Sequence, residues 1–153
     1  LQSTPQQRKS VYMLYFQIPM LPDTLLSKNG GEAVANLIAN QLITTPATAG
    51  DKAAFAHAAC RPGAMTGALN WYRAVFGGRV KKWRVKQLEQ PVLFLYGTGD
   101  VAFDMESVLP ATERYCKNLT TITIDRCSHW TQNDQPKIVI KHMKAFLDKH
   151  RAE

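Results

Sequence analysis

Long apolar runs are missing from this chain of 153 residues; nothing approaches the ~18 consecutive apolar residues of a membrane-spanning helix, so no transmembrane segment is expected. Cysteine is scarce. Cys60, Cys116 and Cys127 are odd in number and far apart, which argues against a disulfide framework and against a zinc site. That usage suits a reducing, intracellular compartment, cytoplasmic or organellar. No signal-peptide pattern follows Leu1, and the chain reads as trimmed, processed or partial. Internal repeats and low-complexity stretches are absent as well. Acidic residues are outnumbered, 12 against 19 basic ones, which leaves a net charge of +7. A basic balance can serve nucleic acid or an anionic partner. Much of the excess, however, sits in Arg79-Val-Lys-Lys-Trp-Arg-Val-Lys86 and around Lys137, Lys141, Lys144 and Lys149, where a solvated face and a basic linker account for it. Nucleic acid is not favoured.

A hydrophobic content of 45% is enough for one ordinary domain. Residues 1–9 are polar and read as a tail or linker. Residues 10–78 read as several short helices with no strand among them. Ser10 is placed to cap a helix from Val11 to about Gln17, ended by Pro19 and Pro22, with Tyr12, Tyr15 and Phe16 on one face. Asn29-Gly30-Gly31 breaks the chain before a helix over 32–41. Thr44 to Gly50 is a loop, and Asp51 is expected to cap a helix through His57 to about Cys60. A further helix runs from Ala64 to Phe76, where Gly77-Gly78 ends it.

After a basic linker over 79–90 the pattern changes to strand, helix, strand, helix across 91–153. Pro91 to Tyr96 and Leu119 to Asp125 are the strands. The intervening helix is expected to start near Leu109, because Pro110 is tolerated only in a first turn. Asp134 is expected to cap the last helix, with Pro136 in its first turn and Val139, Ile140, Met143, Phe146 and Leu147 as its buried stripe. Two parallel strands cannot cover their own faces and edges, so this block reads as the end of a larger α/β sheet whose remainder lies elsewhere.

Two segments carry chemistry. Gly97-Thr-Gly-Asp100 and Cys127-Ser-His-Trp-Thr-Gln132 each follow a strand, at the carboxyl edge where open α/β sheets place their sites. Asp100 there is expected to hold His129 in one tautomer and stabilise its protonated form, the orienter and base of a hydrolase. No convincing nucleophile accompanies them. Asp51 precedes a helix, Asp23 and Asp104 lie in turns, and Cys127 reads as buried and inert. His57 and Cys60 form only a lone His-x-x-Cys, so no metal or cofactor is expected.

Three motifs resemble the carboxy-terminal half of a soluble-type epoxide hydrolase of the α/β-hydrolase fold, its lid followed by the last core strands. Tyr12-Met-Leu-Tyr-Phe-Gln-Ile-Pro19 looks like the first lid helix, Gly67-Ala-Leu-Asn-Trp-Tyr-Arg73 like the second tyrosine segment, and the Gly99-Asp100 and His129-Trp130 segments like the acid and histidine segments. The resemblance implies that 10–78 is the lid and 91–153 the end of the core. It implies that Tyr12 and Tyr72 hold the epoxide oxygen, that Asp100 and His129 activate water, and that Trp71, Met13 and Trp130 border an apolar epoxide. It also implies that the nucleophilic aspartate lies on an elbow before the lid, in an amino-terminal half, so the chain alone is expected to be inactive. A remnant retained as a structural or interaction subunit is the alternative reading. A dehalogenase fits less well, since halide release calls for Trp or Asn donors.

Overall fold

The structure, a computed structural model, describes residues 4–78 and 86–151, which form two compact units. Most of the expected basic linker therefore lies outside the described residues, and its last part, from Leu88, is already strand.

The first unit holds Gln7–Asn40 and the helical residues from Ala47 to 78. Helix α1 (Pro5–Lys9), of which residues 7–9 belong to this unit, stands where a tail was expected. Next comes the single turn α2 (Tyr12–Tyr15), which Val11 rather than Ser10 precedes as N-cap, without a side-chain cap. Helix α3 (Leu21–Ala39) is interrupted from Lys28 to Gly31, where Asn29, Gly30 and Gly31 all take positive φ. Asn and Gly tolerate that left-handed backbone, so the expected break is real, although helix resumes at once on its far side. Gly31 also lies against α4 (Ala49–Cys60): a Cβ there would meet the Ala56 carbonyl oxygen and the Ala59 methyl. Buried Ala35 and Ala59 carry on this close seam of small residues. The cap of α4 is Thr48, not Asp51. Thr48 Oγ1 accepts from the Asp51 amide while the Asp51 carboxylate accepts from the Thr48 amide, a capping box. Helix α5 (Ala64–Phe76) has the bounds read from the sequence.

The second unit comprises Thr4–Gln6, Gln41–Pro46 and the residues from 86 to 151. Strands β1 (Leu88–Gly97) and β2 (Cys116–Ile124) pair in parallel, joined by the crossover helix α6 (Met105–Tyr115). Asp104 starts α6 well before Leu109 by accepting from the Ser107 amide, so Pro110 stands inside the helix. The cap offsets part of the cost of the backbone bond that proline removes. The core is small: Ile124, Cys127 and Val139, with Leu95 and Ile122 against them.

Helices α7 (Thr131–Asp134) and α8 (Pro136–His150) close the chain. Gln135, with no side-chain cap, precedes α8, because the Asp134 carboxylate is used elsewhere. Only Val139 of the α8 stripe is buried; Ile140 (55%), Met143 (46%) and Leu147 (58%) are exposed. The periodicity marks an apolar face correctly, but these residues have too little sheet here to cover it. Among the described residues no helix is long and apolar enough to cross a membrane.

Candidate active site

In the register of the sheet Gly97 stands opposite Ile124, so the loops that follow β1 and β2 leave the carboxyl edge side by side. They are sewn together by main-chain bonds from Thr98 to Ile124 and from Gly99 to Cys127. Gly97 permits this approach: a Cβ there would run into the carbonyl oxygens of Cys127 and Ser128.

Asp100 and His129 meet across these loops. The carboxylate is buried, with Oδ1 accepting from the amides of Ala102 (2.7 Å) and Phe103 (2.8 Å) and Oδ2 lying 2.9 Å from His129 Nδ1. One oxygen is thus fixed by its own loop and the other faces the imidazole. A carboxylate only accepts, so Nδ1 is the donor in this contact, and in the neutral ring Nε2 then carries the lone pair. The ring is 28% exposed and sits edge-on to Phe103 and Trp130, each with centroids 5.3 Å away. Trp130 is itself held, its indole N–H donating to Gln41 Oε1 at 3.1 Å. A half-open imidazole with one nitrogen oriented and the other available has the geometry of a general base.

Cys127 beside it is fully buried, and burial together with the charge of Asp134 pushes its thiol up to about 11. It is therefore no nucleophile near neutral pH.

Within the helical unit Tyr12 and Tyr72 come together edge-to-face, with centroids 5.9 Å apart, and both rings pack on Phe16. Arg73 fastens the elements that carry them. Its guanidinium donates to the carbonyls of Phe16 (3.0 Å) and Ile18 (3.3 Å) and forms a two-pronged pair with Asp23, at 2.5 and 3.1 Å. Arg73, helped by Thr66 and opposed by partial burial, holds the Asp23 carboxyl down at about 2. Met13, within α2, is half-buried. Trp71 joins no such cluster; it is 80% exposed. A cavity of about 490 Å³ opens beside the ion pair, lined by Gln17, Met20, Asp23, Thr66 and Arg73 among others.

Sequence reasoning missed Asp134, which is completely buried. It accepts from the amides of Thr44 (2.7 Å), Thr45 (2.9 Å), Ile43 (3.1 Å) and Ser128 (2.7 Å). Burial alone raises such a carboxyl, but these four bonds outweigh it and hold it below the usual range. Its one outward signal, an acid ahead of a helix proline, reads more naturally as a cap. Among the described residues no group of three or more His, Cys, Asp or Glu could hold a metal ion.

No protein-family model matches the chain. It is 34% identical over 145 residues to the AB hydrolase superfamily protein YfhM of Bacillus subtilis, covering 94% of this chain and 49% of that protein. It is 32% identical over 153 residues to the human protein named epoxide hydrolase 4, covering 96% and 41%. The chain thus spans less than half the length of these relatives. Among solved structures, an epoxide hydrolase from an endophytic Streptomyces superposes with a TM-score of 0.76 at 21% identity, over 99% of this chain and 58% of that one. A Bacillus megaterium epoxide hydrolase does so with a TM-score of 0.69 at 24% identity, over 94% and 52%. At such identities the likeness speaks for the fold, and the sequence relatives speak for the family. By both, the chain is a carboxy-terminal part of an α/β-hydrolase, related to proteins named epoxide hydrolases.

Proposed function

We propose that this chain supplies the lid and the acid–base pair of an epoxide hydrolase that converts an apolar epoxide to a vicinal diol. The single observation that supports it most is the 2.9 Å contact between His129 Nδ1 and the buried Asp100 carboxylate, in a chain whose relatives bear that name. The nucleophile is an aspartate of an amino-terminal half that completes the fold. Its carboxylate oxygen attacks one ring carbon, the C–O bond breaks, and an alkyl-enzyme ester forms. The oxygen released is an alkoxide in the making, and the phenols of Tyr12 and Tyr72 donate to it and protonate it. A phenol O–H can donate to a developing alkoxide and supply its proton. Water then gives a proton to His129 Nε2 as it attacks the ester carbonyl, and Asp100 stabilises the imidazolium. Diol leaves, the carboxylate is restored, and the imidazolium proton returns to the phenol side through solvent. Overall, one water is consumed per epoxide.

The test is diol formation from an aryl epoxide such as styrene oxide, by the chain alone and by the chain joined to the amino-terminal half of a relative. Turnover is expected only in the completed protein. His129→Gln there should lower kcat by about 10²–10⁴-fold while the ester accumulates. Turnover by the 153-residue chain alone, or a completed protein indifferent to His129→Gln, overturns the proposal.

A further inference from the structure

Asp134 has no part in the chemistry just described, yet it is the most enclosed charged group of the sheet unit. Its side chain is completely buried and forms no ion pair among the described residues. An isolated buried carboxylate is costly, and here main-chain N–H groups from two distant segments offset that cost. Oδ2 takes the Ser128 amide at 2.7 Å, and Oδ1 takes those of Thr44 and Thr45 at 2.7 and 2.9 Å. The Asp134 amide in turn donates to the Trp130 carbonyl at 2.9 Å. The main chain on either side of His129, the N–H of Ser128 and the C=O of Trp130, is thereby held by one residue. A further bond, from the Trp130 amide to Ser128 Oγ at 3.2 Å, closes the loop across the histidine.

We infer that Asp134 is a positioning residue for His129, clamping the main chain on both sides of it so that Nδ1 meets the Asp100 carboxylate. This rests on the proposed role of the His129–Asp100 pair. The geometry favours positioning over simple support, because anchoring residues 43–45 alone would not require the carboxylate to take the amide of Ser128, the residue next to His129, while the Asp134 amide makes the ordinary α7 helix bond to Trp130. A carboxylate is required rather than an amide. Four N–H donors converge on its two oxygens, and an asparagine would turn its own NH₂ toward some of them.

The experiment follows the His129 Nδ1-bound proton by NMR in the ¹⁵N-labelled chain. In the parent it is expected downfield and protected from exchange, and Asp100→Asn should abolish it. In folded Asp134→Asn it should be lost or exchange at least about tenfold faster, and Asp134→Glu should recover part of the protection. A mere support would lower Tm in Asp134→Asn yet leave the position and exchange of that proton unchanged, and that result overturns the inference alone. A parent chain without the proton counts instead against the His129–Asp100 pairing, and so against the proposed function. If Asp134→Asn gives no folded protein, amide exchange in the parent decides. Ser128, Thr44 and Thr45 should then exchange together and at least about tenfold more slowly than exposed Gln132, and Ser128 exchanging like Gln132 overturns the inference.

Discussion

Each unit of this molecule is tied at a critical point by an aspartate, and the two ties differ in kind. Asp23 in the helical unit is neutralised by the Arg73 side chain and remains partly in water, its own side chain 17% exposed. Asp134 in the sheet unit is stabilised by main-chain N–H dipoles and is completely buried. A side-chain pair can separate and re-form, and both salt and acid weaken it. A cradle of backbone donors has no rotamers to change and fixes the loop that supplies it. The contrast matches what each unit contributes to the proposed reaction. Two phenols have to reach an oxygen of somewhat variable position, whereas one imidazole has to sit within hydrogen-bonding distance of one carboxylate.

The largest effect expected from a single methyl group is therefore in the sheet unit. In Gly97→Ala the new Cβ meets the carbonyl oxygens of Cys127 and Ser128, main-chain atoms with no rotamer to give way. The loop carrying His129 would have to move off the end of β1. A loss of about 2–4 kcal/mol in urea unfolding is expected, together with a weakened His129–Asp100 contact. An alanine tolerated there at parental stability would show the two loops to be far looser than their bonds imply.

Local signals made much of this architecture legible. Helix α5 could be bounded because Pro62-Gly63 and Gly77-Gly78 punctuate it, and the carboxyl ends of both strands because their apolar runs stop at Gly97 and Asp125, although β1 and β2 each begin three residues before the expected Pro91 and Leu119. The His129–Asp100 pairing followed from two loops at one sheet edge. What stayed hidden depends on partners that leave no mark in the sequence. The donors to Asp134 are amides of Ile43, Thr44 and Thr45, and any residue but proline could offer them. Gln41–Pro46 joins the sheet unit for that reason, although the sequence places it in a run of helices. The apolar face of α8 was visible in its spacing, but spacing cannot say whether sheet is present to cover it.

A middle-sized effect separates the two ties by pH. The Asp23 carboxyl lies at about 2 against an ordinary value of 3.8. A depressed folded-state pKa contributes stability that is present above about pH 4 and is lost as pH falls toward about 2. Arg73→Met should lower Tm at neutral pH by a few °C and remove this part of the acid dependence. Asp134, also held below the usual range, keeps its own acid dependence in both proteins. The difference between the two Tm–pH curves is thus the quantity to measure. It should shrink as pH falls from about 4 to about 2, and a constant difference would mean that Arg73 supports the helical unit by packing alone.

The smallest effect, and one of opposite sign, is expected in the helical unit. Gly67 lies inside α5 with no positive φ, and a Cβ built on it finds nothing within 4 Å. A glycine in a helix interior gives up more backbone freedom on folding than alanine does, and no close contact is in the way of the methyl. Gly67→Ala should therefore stabilise the chain by roughly 0.5–1 kcal/mol, read as a rise in the urea midpoint at unchanged m-value. Set beside Gly97→Ala, it places the same methyl on a side-chain-tied helix and at a strand end held against a backbone-tied loop. If both variants lose stability, the α5 surface at Gly67 is not the open one described, and the contrast between an adaptable helical unit and a fixed His129 loop fails at the position where it is easiest to measure.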